Sequence, residues 1–307
     1  MTTVVVTGGA GFIGSHLVQS LIEQGRQVHV IDNLSTGSAA MVHPSAVLHV
    51  EDIRDLSARQ IIGKLRPDTV FHLAAQADVQ QSILNPGQDM EINAGGTLNL
   101  LEACRQAGVH KFIFASTSGV YGNTDKNPLE ETDAAAPISF YGLSKFCAEH
   151  YIRLYGQLFG VDWTVLRFAN VYGPGQTSKG EGGVVSIFME KLRQGHPLTI
   201  NGDGEQTRDF VYVKDVVSAL LAAGNAGERD IFHVSTGKAT SVNRLIALLR
   251  QQHGQEFETL HRSARDGDIR DSCLSNAKIR SSLNWVPAVT MEEGLRETYR
   301  HFFPAGS

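Results

Sequence analysis

Tyr141 and Lys145 stand four residues apart in Tyr-Gly-Leu-Ser-Lys, where a helix is predicted to open. On a helix that spacing puts both side chains on one face, so an ammonium can lie beneath a phenol and lower its pKa from about 10 toward working pH. Such a pair can exchange a proton with an alcohol or a carbonyl compound. Upstream, an apolar run ends in Ser116-Thr117-Ser118. Hydroxyls at the carboxyl end of a strand sit where ligands bind in open α/β sheets. Thr117, Tyr141 and Lys145 are therefore the candidate catalytic residues.

The start of the chain supplies a place for a redox partner. Val4–Thr7 runs into Gly8-Gly9-Ala10-Gly11-Phe12-Ile13-Gly14, so Gly8, Gly11 and Gly14 have GxxGxxG spacing at a strand-to-helix turn. Glycine permits the tight turn and a close approach of a pyrophosphate to main-chain N–H groups, while the helix N-terminus adds partial positive charge. Asp32 ends the next β-type run, close to the ~20 residues downstream expected of a ribose-binding acid. Its carboxylate would accept from both adenosine ribose hydroxyls and repel a 2′-phosphate. No arginine follows in Asn33-Leu34-Ser35-Thr36-Gly37, so the predicted cofactor is NAD and not NADP. Asp52 and Ile53 follow the third run, where Asp52 either meets the adenine or caps the next helix.

These residues need a scaffold, and the pattern between them provides one. Short β-branched or aromatic runs at Val4–Thr7, Gln27–Ile31, Ala46–Val50, Thr69–Leu73, Lys111–Ser116 and Val161–Arg167 are each followed by a longer helical pattern. That alternation predicts an α/β fold, a doubly wound parallel Rossmann sheet with helices on both faces. After about residue 168 Gly and Pro crowd the chain and the rhythm changes. Residues 1–168 are thus assigned to the NAD-binding domain and 169–307 to a smaller α/β substrate domain, as a chain beyond ~250 residues tends to divide. Helices are expected there at 183–194, 213–224, 241–253 and 291–302. A strand at 231–235 belongs either to that domain or to the main sheet. The tail from Phe303 is expected to fray.

Composition removes several other classes. The net charge of the 307 residues is -5, and no dense Lys/Arg run is present, so neither nucleic acid nor an anionic membrane is an expected partner. No apolar run reaches the ~20 residues of a membrane span, and the opening residues lack the charged region of a signal peptide. Cys104, Cys147 and Cys273 form no CxxC, which points to a reducing compartment, the cytoplasm. Twelve histidines are scattered without ligand spacing, so no metal is expected.

The glycine loop, the strand-end hydroxyls and YxxxK, in this order, resemble the extended short-chain dehydrogenase/reductase family over nearly the whole chain. Three further stretches narrow the resemblance: His72-Leu73-Ala74-Ala75-Gln76, Arg167-Phe168-Ala169-Asn170-Val171-Tyr172-Gly173-Pro174-Gly175-Gln176, and Gly202-Asp203-Gly204-Glu205-Gln206-Thr207-Arg208-Asp209-Phe210. They are similar to the nucleotide-sugar epimerases, the UDP-hexose 4-epimerase branch. The resemblance implies that Leu73, Ala74, Ala75, Gln76, Asn93 and Ser116 also border NAD. It places Asn170, Arg208 and Arg265 on the diphosphate of a UDP-sugar, Asp268 on its uridine ribose, and Ser118, Gly183, Val184 and Ser272 around the substrate. Relatives usually read Arg-Pro-Gly-Asp where this chain has Arg265-Asp266-Gly267-Asp268. Two guanidinium forks suit a diphosphate in a protein whose overall charge would not attract one. A serine at 272 leaves room for N-acetylated sugars.

The implied activity is NAD-dependent inversion at C4 through a transient 4-keto sugar. UDP-glucuronate 4-epimerases, dehydratases and decarboxylases of the same family are the alternatives. The 4,6-dehydratases use an Asp-Glu pair after the strand-end threonine, whereas this chain has Ser118-Gly119. A non-catalytic NAD-binding regulator would have no use for Tyr141 and Lys145. Relatives dimerise through paired helices. The predicted helix from Phe140 carries one apolar stripe of Tyr141, Ala148, Ile152 and Tyr155, and another of Leu143, Cys147, Leu154 and Leu158. The second stripe suits a homodimer.

Overall fold

The computed structural model describes residues 2–178, 183–263 and 269–304. Six strands come first: β1 (Thr3–Thr7), β2 (Gln27–Asp32), β3 (Val47–Val50), β4 (Thr69–His72), β5 (Lys111–Thr117) and β6 (Asp162–Phe168). Later come β7 (Asn170–Tyr172), β8 (Leu198–Asn201), β9 (Thr207–Tyr212), β10 (Asp230–Val234), β11 (Ala239–Ser241), β12 (Thr259–Arg262) and β13 (Asp271–Ser272). The helices are α1 (Phe12–Glu23), α2 (Leu56–Leu65), α3 (Val79–Leu84), α4 (Pro86–Met90), α5 (Gly96–Ala107), α6 (Phe140–Phe159), α7 (Val184–Arg193) and α8 (Val213–Asn225). Three more, α9 (Val242–His253), α10 (Ala277–Leu283) and α11 (Met291–Phe302), complete the described chain.

The main sheet is parallel and runs β10-β6-β5-β4-β1-β2-β3. Its strands are apolar on both sides because helices cover both faces. On one face Val4, Val6, Val28 and Val30 pack with Leu17 of α1 and Leu220 of α8; on the other Val5, Val70, Phe112 and Phe114 pack with Ile62 of α2, Leu100 of α5 and Ile152 of α6. The order reverses between β1 and β4, which opens a crevice beyond their carboxyl ends.

The chain crosses back after residue 168. The strand Asp230–Val234 pairs with β6 at the outer edge of the main sheet, and α8 lies in the same layer as α1. The remaining later elements form small sheets, β11-β9-β13 with β7 paired to β9, and β12-β8. Their core gathers Tyr172, Phe188, Tyr212, Leu245 and Leu295. The helices expected at 183–194, 213–224, 241–253 and 291–302 are α7, α8, α9 and α11. The cap alternative for Asp52 does not hold, because the helix after β3 has Asp55 at its N-cap position. Further on, α4 runs into α5 through a π turn at Glu91–Gly95.

Candidate active site

The crevice at the β1/β4 switch holds a cavity of about 420 Å³. Gly8, Gly11, Asp32, Asn33, Ser35, Thr36, Asp52, Ile53, Leu73, Ala74, Ala75 and Gln76 all line it. Gly8 has φ +71, and a Cβ there would stand 2.7 Å from the Ala74 main-chain nitrogen. A Cβ on Gly14 would overlap the Gly8 carbonyl oxygen. Only glycine lets β1 turn so sharply into α1 and bring that helix against the loop. Gly11 caps α1 with no side-chain bond, and the first turn holds no acid. The main-chain N–H groups of Phe12, Ile13 and Gly14 in that turn are thus the donors that would face an anion.

Asp32 is buried, and its two oxygens accept the Ala10 N–H at 3.0 Å and the Leu34 N–H at 2.8 Å. Gly37 packs on the Ala10 carbonyl, so the segment after Asp32 folds over the glycine turn. Asp52 accepts from Asn33 at 2.9 Å and from the Arg54 side chain at 2.8 and 2.9 Å. Arg54 is the main reason its carboxyl is pulled down to about 2, against the opposing effect of burial. Glu51, Ala77, Asp78, Gln81, Gln88 and Ile92 complete the wall; none of them carried a motif. The cradle fits a dinucleotide, with a carboxylate at one end and open main-chain donors in the middle.

A buried hydrogen-bond chain holds the β4 side of the cavity. Thr97 donates to the Asn93 carbonyl at 2.5 Å, so its oxygen accepts from His72 Nε2 at 2.9 Å. His72 Nδ1 then accepts from Thr7 at 2.7 Å, and Thr7 in turn accepts the Ala74 N–H at 3.2 Å. Burial, helped by the positive charge of Lys145, holds His72 well below the usual histidine range, so it stays neutral. Asn93, in the π turn, pairs with both the N–H and the carbonyl of Gln76 at 2.9 Å. It also donates to Ser144 at 3.0 Å, which donates to the buried Asp89 at 2.6 Å. The cavity wall and the helix that carries Tyr141 and Lys145 are therefore wired together.

That helix, α6, is started by the Ser139 side chain, which accepts the Gly142 N–H at 3.1 Å. Tyr141 is half-buried. Lys145 is buried, its Nζ 4.5 Å from the centre of the Phe114 ring. At the end of β5, Thr117 Oγ1 accepts the Gly119 N–H at 3.0 Å, which spends a lone pair and leaves the hydroxyl proton for an outside acceptor. Ser118 opens the following 3₁₀ turn. Ser116 turns inward and donates to Glu149 at 2.5 Å.

Three of the substrate candidates, Asn170, Arg208 and Ser272, are joined through strand register. Arg208 on β9 is the direct neighbour of Ser272 on β13, and Asn170 on β7 pairs with Phe210 of the same β9. Arg208 Nη1 donates to the carbonyls of Thr207 and Arg270 at 2.8 and 3.1 Å. Gly183 caps α7 and Val184 is its first residue. Arg265 and Asp268 lie outside the described residues. Asp209 was not singled out by its motif, yet it is buried and accepts from Thr236 N, Thr236 Oγ1 and Gly237 N at 2.9, 2.6 and 2.9 Å. It fastens β9 to the end of β10.

A doubly wound sheet with a glycine turn, a ribose-type acid and a Thr/Tyr/Lys set defines a dinucleotide-dependent enzyme of the short-chain dehydrogenase/reductase class. The chain belongs to the NAD dependent epimerase/dehydratase family, whose model matches residues 4–235. A protein of Methanocaldococcus jannaschii described as a putative UDP-glucose 4-epimerase is 42% identical over 294 residues, 95% of this chain and 96% of that one. The UDP-glucose 4-epimerase of Thermotoga maritima, solved with UDP-glucose, is 45% identical with TM-score 0.96, covering 98% of each chain. The Thermus thermophilus UDP-glucose 4-epimerase, solved with NAD, is 42% identical with TM-score 0.94, covering 99% of this chain and 100% of that one.

Proposed function

We propose that this chain inverts C4 of a UDP-hexose, interconverting UDP-glucose and UDP-galactose with NAD as its cofactor. What supports this reading most is the strand register that joins Asn170, Arg208 and Ser272, with Thr117 the register partner of Phe168, two residues before Asn170, and Tyr141 and Lys145 one turn apart on α6. Held in the crevice lined by Gly8, Gly11 and Asp32, NAD would supply a reversible hydride acceptor for C4. Tyr141 removes the proton of the 4-hydroxyl and returns it; Lys145 stabilises the phenolate. Thr117 hydrogen-bonds the same sugar oxygen through its hydroxyl. Asn170, Arg208 and Arg265 hold the diphosphate, so binding rests on the nucleotide end and the sugar is left able to present its other face. Ser272 beside Arg208 leaves space at the sugar for N-acetylated UDP-hexoses.

A second copy of the chain is the proposed partner. Leu143, Leu154 and Leu158 are exposed on α6, and Met90 is exposed on the adjoining α4, while Ala148 and Ile152 of α6 are buried. Among the described residues no helix is long and apolar enough to cross a membrane. The three cysteines are free thiols, which supports a reducing compartment, the cytoplasm. Supplying the purified chain with NAD and UDP-galactose and following UDP-glucose by NMR tests the reading; absence of product rejects it.

A further inference from the structure

Ser116, Arg167 and His233 lie side by side across three strands. Ser116 on β5 is the register partner of Arg167 on β6, and Arg167 is the partner of His233 on β10. All three are buried. Above them Glu149 of α6, also buried, accepts from Ser116 Oγ at 2.5 Å, Arg167 Nε at 3.0 Å and Arg167 Nη2 at 2.6 Å. Arg167 Nη1 donates to the Tyr121 hydroxyl at 2.6 Å, and that hydroxyl lies 2.5 Å from His233 Nε2.

The direction of each bond can be assigned. His233 Nδ1 lies 3.1 Å from the Ser275 carbonyl, an acceptor only, so Nδ1 carries the proton and Nε2 accepts from Tyr121. Burial is the main reason His233 is lowered to about 3, which keeps the ring neutral and this tautomer intact. Burial likewise raises Tyr121 to about 12, so its proton stays in place. The Tyr121 hydroxyl has the Glu130 carbonyl at 3.3 Å as a second acceptor, and a buried network tied at this many points rigidifies its surroundings.

Each end of the row leads directly to the site. Tyr141, Lys145 and Glu149 share one face of α6 at successive four-residue steps. Ser116 precedes Thr117; Arg167 leads through Phe168 and Ala169 to Asn170; and Ser275 closes the short segment that begins at Ser272. We propose that the buried row from Glu149 through Arg167 and Tyr121 to His233 positions the Tyr141–Lys145 helix against the strand ends carrying Thr117, Asn170 and Ser272. Glu149, Arg167, Tyr121 and His233 are then positioning residues for both halves of the epimerisation. This rests on the epimerase reading above.

The row's contribution should be visible in rate. A buried ion pair is often near break-even for stability against well-packed apolar residues, whereas moving reacting groups by about 1 Å costs on the order of a hundredfold in rate. Epimerisation is sensitive in a particular way. The first transfer oxidises C4 and reduces NAD to NADH, with the proton on Tyr141; the second reverses both on the other sugar face. If alignment is loose, the 4-keto sugar leaves before the hydride returns, and the cofactor is left reduced.

Tyr121→Phe removes one hydroxyl from the row, and Glu149→Gln keeps the side chain's shape while removing its charge. For both, NAD affinity and the KM for UDP-galactose should stay within about threefold of wild type while kcat falls roughly tenfold or more. NADH absorbance during turnover should rise above the wild-type level. Wild-type kcat in both variants would overturn the proposal. So would a parallel fall in kcat, substrate affinity and NAD binding that tracks the fraction of unfolded protein by circular dichroism. If Tyr121→Phe does not fold, Glu149→Gln decides; if neither folds, the row serves folding and the proposal fails. A wild-type protein that converts no UDP-hexose instead rejects the epimerase reading itself, before any variant is compared.

Discussion

Asp32 accepts the main-chain N–H of Ala10 at 3.0 Å, so the acid proposed to read the ribose also holds the glycine turn that would carry the pyrophosphate. Its other oxygen is engaged by Leu34 N–H at 2.8 Å. Asn in its place offers one acceptor and one donor, and the donor faces a main-chain N–H. Asp32→Asn should weaken NAD binding about tenfold or more, equivalent to the ~1.5–3 kcal/mol of a hydrogen bond to a charged group. Calorimetric titration checks it, and the ratio of NADP to NAD affinity should rise, since the charge that repels a 2′-phosphate is gone.

Acid should destabilise the fold through its buried histidines. His233 is lowered from 6.5 to about 3, chiefly by burial, and His72 well below 6.5 for the same reason. The unfolded chain then binds more protons than the folded one below pH 6.5. The stabilisation is complete above that value and is lost as pH falls through the unfolded pKa toward the folded one. Each such histidine contributes up to about 1.4 kcal/mol per pH unit in this window. Denaturant titrations should show little change well above pH 6.5 and a decline that steepens below it, approaching about 1.4 kcal/mol per pH unit for each ring; a flat profile down to pH 5 would mean that these rings titrate in the fold as they do in the unfolded chain.

The exposed stripe of α6 has its own consequence. Leu154 is 49% exposed and Leu158 69%, a cost that a partner subunit would remove. Leu154→Glu should convert a dimer to a monomer in sedimentation velocity, with NAD still bound. A wild-type monomer at micromolar concentration would remove the proposed partner.

Local requirements made half of the site legible in the sequence. Gly8 and Gly14 answer to backbone angle and close packing, Asp32 to a strand end, and Tyr141 with Lys145 to helical spacing; each constraint lies within a few residues of the side chain concerned. The far wall of the cavity was not legible. Asp78, Gln81, Gln88 and Ile92 come from α3, α4 and a π turn, and their direction depends on how the chain turns after β4. The neighbouring of Arg208 and Ser272 is likewise a matter of register between β9 and a two-residue strand, too short to show a period of two. The row through Glu149 and Arg167 is hidden for another reason. Charged residues in apolar runs look like exceptions until the partner strands are known.

Tyr141→Phe keeps the ring and removes the hydroxyl. Removing a general acid-base group costs roughly 10²–10⁴ in rate, so kcat for UDP-galactose should fall at least about a hundredfold while calorimetry shows NAD binding unchanged. Near-normal turnover would show that another group moves the proton.

In the proposed reaction the hydrogen taken from C4 goes back to C4. UDP-galactose carrying deuterium at C4, turned over by the wild-type protein with NAD in ordinary water, should give UDP-glucose that retains the deuterium at C4 by NMR and mass spectrometry, with no net NADH. Product that has exchanged the label for solvent hydrogen, or a label remaining entirely in unconverted substrate, would contradict the account.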